Sequence, residues 1–391
     1  MVDFSLNEKD QEILQEIRKQ GLVVRKHTRY YDDHEDELPP SEFPEAKDFE
    51  HIPLMMLERP KAPGACSPTV FGILVDLYQS WGDSMMTLKS HPFGLGNASL
   101  AAAGTEEQKK KWGGKLLAMA NTEPGCGSDS KAIETTAVLE GDEWVLNGEK
   151  IFVTSGIQCD GVVVWATLDK SKGRGAIKAF LIEKGTPGFQ LSAKEKKMGI
   201  RASDTAAFVL KDCRVPRENL LGQNEEIQTG GGGFKGLMKT FNITRPLVAA
   251  TGTGAVLACY ESASDVLRDE GVEVDWEVGL HRRTALQQKM IEIESQLEAS
   301  ILTTLRAVWL MDQGKPNNLE SSISKAKGGD VCRSGATLAL ELLGVTGITH
   351  DLLVEKWWRD ARITDIYEGT GEINRLVIAR AILNYSSADL M

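Results

Sequence analysis

TTAVLEGDEWVLNGEKIFVT, residues 135–154, reads as extended chain interrupted twice, at Gly141-Asp142 and at Asn147-Gly148. Both dipeptides favour the positive-φ conformations that two-residue hairpin turns demand. Valine, isoleucine, threonine, tryptophan and phenylalanine fill the positions between them, as a pleated, half-buried surface prefers. The chain that follows continues the pattern. GVVVWATLD (161–169) and IKAFLIEKG (177–185) flank a basic, glycine-containing loop, and FQLSAKE (189–195) and AAFVLKDCRV (206–215) come after them. A set of short antiparallel strands of this kind predicts a small barrel or sandwich.

On both sides of this region the periodicity changes. Leu6, Ile13, Leu14 and Ile17 recur at helical spacing among charged residues. Pro39, Pro40, Pro44, Pro53, Pro60, Pro63 and Pro68 then mark loops and short helices, before 70–89 and 99–112 return to helix. Towards the C-terminus, 283–313 is one periodic run ended by Gly314 and Pro316, with further helical runs at 245–268 and 320–343. Long helices with short connections imply a bundle. The expected fold class is therefore α+β: an N-terminal helical domain (1–117), a middle antiparallel β-barrel domain with its linker (118–233), and a C-terminal helical bundle (234–391).

Composition excludes several classes of function. The 391 residues carry 45 basic and 56 acidic side chains, a net charge of -11, which is the wrong sign for gripping nucleic-acid phosphates. With 41% hydrophobic and 26% charged residues the chain is globular, and no apolar run approaches the ~20 residues of a membrane span. MVDFSLNEKDQEIL is too acidic and polar for a signal or transit peptide, so a cytoplasmic location is expected. The six cysteines are scattered without a C-x-x-C pair and the histidines lack metal-ligand spacing, which predicts reduced, buried thiols and no metal centre.

Three glycine-bearing motifs stand out. GGGGFKG (230–236) formally contains G-x-G-x-x-G, but polar NEEIQT precedes it where a dinucleotide fold needs a buried strand, so it reads as a joint between β and helical parts. NTEPGCGSD (121–129) offers hydroxyls and open backbone N–H groups on a loop fixed by proline and glycine, suited either to an anionic or polar ligand or to a plain inter-domain turn. IYEGTG (366–371) places a carboxylate between an aromatic and a glycine in a break between helices. Such an acid is either a solvated helix cap or a desolvated base.

Taken in order, T-E-P-G-x-G-S-D (122–129), N-G-x-K-x-F-V-T (147–154), T-R-P at an expected helix start (244–246) and R-D-A-x-I-x-x-I-Y-E-G-T (359–370) resemble the acyl-CoA dehydrogenase family. The resemblance runs from LNEKDQEIL near the start to RLVIARAIL near the end. It implies FAD bound between the β domain and the bundle, and removal of two hydrogens from the α and β carbons of an acyl-CoA thioester. Glu368 matches the catalytic base. The family's other position for that base is occupied by Thr244, which cannot serve. For the cofactor, the resemblance implies Asn121, Thr122, Ser128, Phe152, Val153, Thr154, Thr370, Glu372, Glu341 and Gly344. Among these, Phe152 takes the slot that packs on the flavin face and Thr154 the slot near N5. For the substrate it implies Ser128, Asn242, Arg245, Tyr367 and Gly369, with Thr87 and His91 lining the deep end of the acyl pocket. Asp83, one or two turns before, would signal a cyclic or functionalised acyl group if it pointed inward, although most helix acids are solvated. A homotetramer passing electrons to an electron-transfer flavoprotein is also implied.

The chain departs from the family in two places. The usual R-x-x-F-G falls near 270–277, which reads EGVEVDWE, and the usual Q-x-x-G-G becomes Glu341-Leu342-Leu343-Gly344-Val345. An acid beside a pyrophosphate costs on the order of several kcal/mol. Compensation by Arg268, Arg282 or Arg283 is the expectation. The GKLLAMANTEP join is also shorter than usual, which reshapes the mouth of the acyl pocket. Two readings compete with the dehydrogenase: the same fold run as an enoyl-CoA reductase or an oxygen-using oxidase, and an FAD-poor, silent subunit of a mixed tetramer.

Overall fold

The computed structural model describes residues 4–40, 43, 45, 67–84, 94–227 and 232–385. The helices are α1 (Glu8–Asp33), α2 (Pro68–Gly82), α3 (Leu95–Ala103), α4 (Glu106–Trp112), α5 (Gly232–Asp269), α6 (Ala285–Asp312), α7 (Asn318–Leu343), α8 (Val354–Ala361) and α9 (Gly371–Leu383). The chain groups into a helical unit (1–90, 197–202 and 245–391) and a β unit (91–196 and 203–244).

In the helical unit, local sequence explains where several helices start. Asn7 caps α1 by accepting from the Asp10 N–H at 2.8 Å. Thr284 and Gln287 form a capping box at the start of α6. Leu14, Ile17 and Val24 put one face of α1 in the interior. Leu14 and Ile17 share a core with Val70, Phe71 and Leu77 of α2, Ala250 of α5 and Leu305 and Val308 of α6. The first two helices thus share one core with helices of the C-terminal region. Neither α1 nor α2 has enough apolar surface to form a core alone.

The α7 region, 318–348, is long and apolar enough to cross a membrane by length and composition alone. Its Val331, Cys332, Ala336 and Ala339 lie in the bundle core, which accounts for that character. The five described cysteines are buried and unbridged.

A buried ion cluster ties α8 to the end of α2. Lys356 Nζ donates to both carboxylate oxygens of Asp83, at 2.8 and 2.7 Å, and lies 2.7 Å from Asp360. Trp357 Nε1 donates to Asp83 at 3.0 Å, and Ser84 Oγ and the Ile200 N–H donate to Asp360 at 2.7 and 2.6 Å. Asp83 is thus neither solvated nor free for an acyl group. A buried lysine has claimed it.

The β unit contains α3, α4 and seven strands: β1 (Leu117–Ala120), β2 (Thr136–Glu140), β3 (Glu143–Thr154), β4 (Gly161–Thr167), β5 (Ile177–Glu183), β6 (Phe189–Lys194) and β7 (Thr205–Pro216). The run 99–112 is not one helix: it breaks at Gly104, and Thr105 starts α4 with a capping box to Gln108. Sheet order is β1-β4-β2-β3-β7-β6, with β5 on β4. The expected closed antiparallel barrel is corrected on two counts. Among the described residues no pairing joins β5 or β1 to β6, so the sheet curls into a half-barrel. Moreover, β4 pairs in parallel with both β1 and β2.

Gly141-Asp142 makes the expected hairpin, with Glu140 opposite Glu143. Asn147-Gly148 does not. β3 passes straight through it, because β7 pairs along the whole strand from Glu143 to Thr154. Opposite Asn147, β7 carries an extra residue. Asp212 takes φ +49 there, and its N–H donates to Asn147 Oδ1 at 2.8 Å. Gly148 is required for closeness: a Cβ would sit 2.4 Å from Thr135 Oγ1.

Glu123, inside the 121–129 loop, is the buried anchor of that segment. It accepts from Lys150 Nζ at 2.6 Å and from the N–H groups of Glu134 and Thr135 at 2.7 and 3.0 Å. Burial works against its charge, but Lys150 and these donors hold its pKa below the ordinary 4.5. The ion pair therefore stabilises the β unit fully above about pH 4.5 and is lost as pH falls through the depressed folded value. Glu123→Gln should cost about 3–5 kcal/mol at neutral pH by stranding Lys150. It should also flatten the acid limb of the unfolding midpoint, as read by thermal melts from neutral to acid pH. An unchanged neutral Tm would contradict this.

Candidate active site

The motif at 366–371 folds as a left-handed turn between a short 3-10 segment (Arg362–Asp365) and α9. The N–H groups of Ile366 and Tyr367 both donate to the Ile363 carbonyl, at 2.8 and 3.2 Å. The chain then reverses its hand: Glu368 has φ +56 and Gly369 φ +88. A non-glycine residue held there costs roughly 1–2 kcal/mol and persists only where its surroundings over-determine it.

Those surroundings are buried hydrogen-bond donors. Arg245 Nε, on α5, donates to the Glu368 carbonyl at 3.4 Å. Lys325 Nζ, on α7, donates to the Gly369 carbonyl at 3.0 Å. Asn374 Nδ2, on α9, reaches the carbonyls of Gly369 and Thr370 at 2.8 and 3.0 Å. Thr370 then caps α9, its Oγ1 accepting from the Ile373 N–H at 3.2 Å. A side chain at Gly369 would also crowd Asn374 Nδ2, 3.3 Å from the position of a Cβ, so glycine suits the space as well as the hand.

Electrostatics follow from this packing. Burial lowers the Lys325 pKa to about 8, against the attraction of Asp365 and Glu368. Burial raises the Tyr367 phenol, and the charges of Cys332 and Glu368 add to the shift. Half-buried Glu368 thus stands among two cations and a neutral phenol.

The other expected residues of this unit fall in different surroundings. Arg245, expected to hold the CoA moiety, is buried beneath the turn, and its Nη1 donates to Ser322 Oγ at 3.2 Å. Thr244-Arg245-Pro246 is not a helix start but lies well inside α5, whose interior proline removes one intrahelical donor. Glu372 is exposed in the first turn of α9. Glu341 sits near the far end of α7, about 24 Å along the helix from Lys325 at 1.5 Å per residue, and Gly344 just past that end. The acid at Glu341 is neutralised, but by Lys289 at 2.6 Å rather than by the arginines expected. Arg268 is taken by Asp265 and Glu273, and Arg283 lies 5.2 Å over the Trp276 ring. Thr87 and His91 lie outside the described residues.

In the β unit, Asn121, Thr122 and the end of β3 come together. The Ile151 N–H donates to the Thr122 carbonyl at 3.0 Å, and Lys150 Nζ to the Asn121 carbonyl at 3.1 Å. One residue later β3 bulges: two residues, Ile151 and Phe152, face one on β7, and Phe152 takes φ +59. The bulge turns the Phe152 ring outward, 61% exposed, while Val153 returns to the core and can offer a ligand only its backbone. Thr154 and Asn242 are half-buried, and Ser128 is exposed near Gly125, around which the described residues leave open space.

These residues fit a flavin. An isoalloxazine has a flat apolar face and an edge of N–H and C=O groups. The outward Phe152 ring suits the face. Asn121 Oδ1, buried and without a hydrogen-bond partner among the described residues, suits an N–H on the edge.

Sequence reasoning missed Lys325, Asn374 and Lys289. Lys325 alone left a signal, one of two cations, with Lys327, inside the small-residue run SSISKAKGGD of a buried helix.

Residues 118–213 match the family model of the acyl-CoA dehydrogenase middle domain, and residues 231–383 that of the C-terminal domain. The mouse mitochondrial short-chain specific acyl-CoA dehydrogenase is 38% identical over 286 residues, 72% of this chain and 67% of that protein. An acryloyl-CoA reductase (NADH) from Anaerotignum propionicum is 35% identical over 288 residues, 72% of this chain and 71% of that protein. The solved butyryl-CoA dehydrogenase of Megasphaera elsdenii superposes with a TM-score of 0.82 at 30% identity, covering 98% of this chain and 100% of that one. The chain belongs to the acyl-CoA dehydrogenase family, whose members are FAD-dependent enzymes.

Proposed function

We propose that the protein oxidises a short-chain acyl-CoA to its 2-enoyl-CoA, with Glu368 as the base. The observation that carries this reading is the turn itself: a carboxylate held at φ +56, its own carbonyl and the next one bonded by buried donors. The α C–H of a thioester is a very weak acid, so its removal needs an aimed carboxylate and a donor for the enolate oxygen. Glu368 takes the α-proton, and its backbone N–H stabilises the charge growing on the thioester oxygen. The outward Phe152 ring and the Asn121 amide hold and orient the cofactor. When bound, FAD supplies the acceptor for the β-hydrogen, leaving as hydride, so that the Cα–Cβ single bond becomes a double bond.

The short-chain preference rests on the names of the relatives, and the electron acceptor we propose is an electron-transfer flavoprotein. The acryloyl-CoA reductase among the relatives favours one second reading, the same residues working in the reducing direction. NADH oxidation driven by a short enoyl-CoA would select it.

Glu368→Gln should keep its flavin and lose at least about 10²- to 10⁴-fold in turnover. Anaerobic bleaching of the flavin by butyryl-CoA reads this directly, and bleaching at the wild-type rate would place the base elsewhere.

We also propose that the enzyme is a homotetramer. Leu376, Ile382, Leu383 and Tyr385 leave α9 and its end with an apolar surface more than two-fifths exposed at each position. Light scattering should give four times the 42.8 kDa chain mass, and a monomer would refute this.

A further inference from the structure

Lys325 has no exposed surface, and the helix around it supplies little to neutralise it: Ser321, Ser322, Ser324, Ala326, Gly328 and Gly329 are its neighbours. Burying an ammonium is expensive unless its hydrogen bonds are made. Lys325 spends one on the Gly369 carbonyl, at 3.0 Å. The charged and titratable groups that face it are Asp365 and Glu368 from the turn, Arg245 from α5 and Cys332 from its own helix.

The turn has two pinned points in succession. Arg245 holds the Glu368 carbonyl, while Lys325 and Asn374 hold the Gly369 carbonyl. With both oxygens fixed, the dihedrals between them are fixed too, and so is the direction in which the Glu368 side chain leaves the backbone. Of these donors, Asn374 is neutral and Arg245 keeps its charge at any working pH. Lys325 is the donor able to change charge near neutrality, since burial has brought it to about 8.

We propose that Lys325 is a positioning residue for the dehydrogenation, its ammonium aiming the Glu368 carboxylate through the Gly369 carbonyl and making proton abstraction dependent on its own charge. This rests on the reading of Glu368 as base. Deprotonation replaces a charge-assisted hydrogen bond with a neutral one of roughly half the strength. It also removes a cation from beside Asp365 and Glu368. The turn then relaxes towards the less strained backbone that Glu368 would otherwise adopt.

The test is the rate of anaerobic flavin reduction at saturating butyryl-CoA, measured across the mildly alkaline range. Wild type should lose rate on an alkaline limb centred near the Lys325 value of about 8. Lys325→Met should bind flavin normally and reduce it about tenfold or more slowly, with half-saturation within about twofold of wild type and no such limb. Lys325→Gln, which keeps a neutral donor, should recover part of the rate and also lack the limb. A wild-type profile flat across this range overturns the proposal without need of any variant. So does either variant that retains both the rate and the limb. Glu368→Gln measured in parallel separates the two readings. If it still turns over, the base assignment fails. If it is dead while Lys325→Met matches wild type, only the role of Lys325 fails.

Discussion

Two neighbouring carbonyl oxygens, those of Glu368 and Gly369, carry most of what is specific about this molecule. Left alone, a glutamate with φ near +56 would relax into a right-handed or extended backbone. It stays because α5, α7 and α9 each send one polar side chain into the core to meet the turn. Three long helices are thus keyed to one strained position. Their packing serves to hold a carboxylate as much as to bury apolar surface.

The same device recurs. In each unit a buried lysine pairs with a carboxylate distant in sequence. Lys150 ties the loop around Glu123 to β3, and Lys356 of α8 ties Asp83 at the end of α2 to its own helix, where it also meets Asp360. Such pairs bring modest net stability, because desolvation consumes much of the Coulomb gain. Breaking one strands a charge, so each pair makes wrong arrangements costly. Lys325 differs in donating to a backbone carbonyl, that of Gly369, rather than to a carboxylate.

Much of this was legible in the chain. The Gly141-Asp142 hairpin, the long α6 and α7 periodicities and the Y-E-G-T motif can be read locally because their determinants are local. Asn147-Gly148 carries an equally strong turn signal and is overridden, since continuous pairing with β7 outweighs two residues' preference for a reversal. Arg245 reads in the sequence as a substrate contact at a helix start. Only the position of Glu368, 123 residues later, shows it to be a brace. Asp83 and Lys356 meet across 273 residues, and Lys289 and Glu341 across 52. No periodicity encodes such partners, so the sites stood out while their supports did not.

The bulge at Phe152 separates two selective pressures. In a regular strand, enlarging or shrinking one side chain disturbs its cross-strand neighbours. Here the irregularity lifts position 152 off the pleat while Val153 drops back into it. Drift at 152 would retune what stacks there with less disturbance to cross-strand packing than at Val153. The protein can explore new ligands at that point with less risk to its architecture.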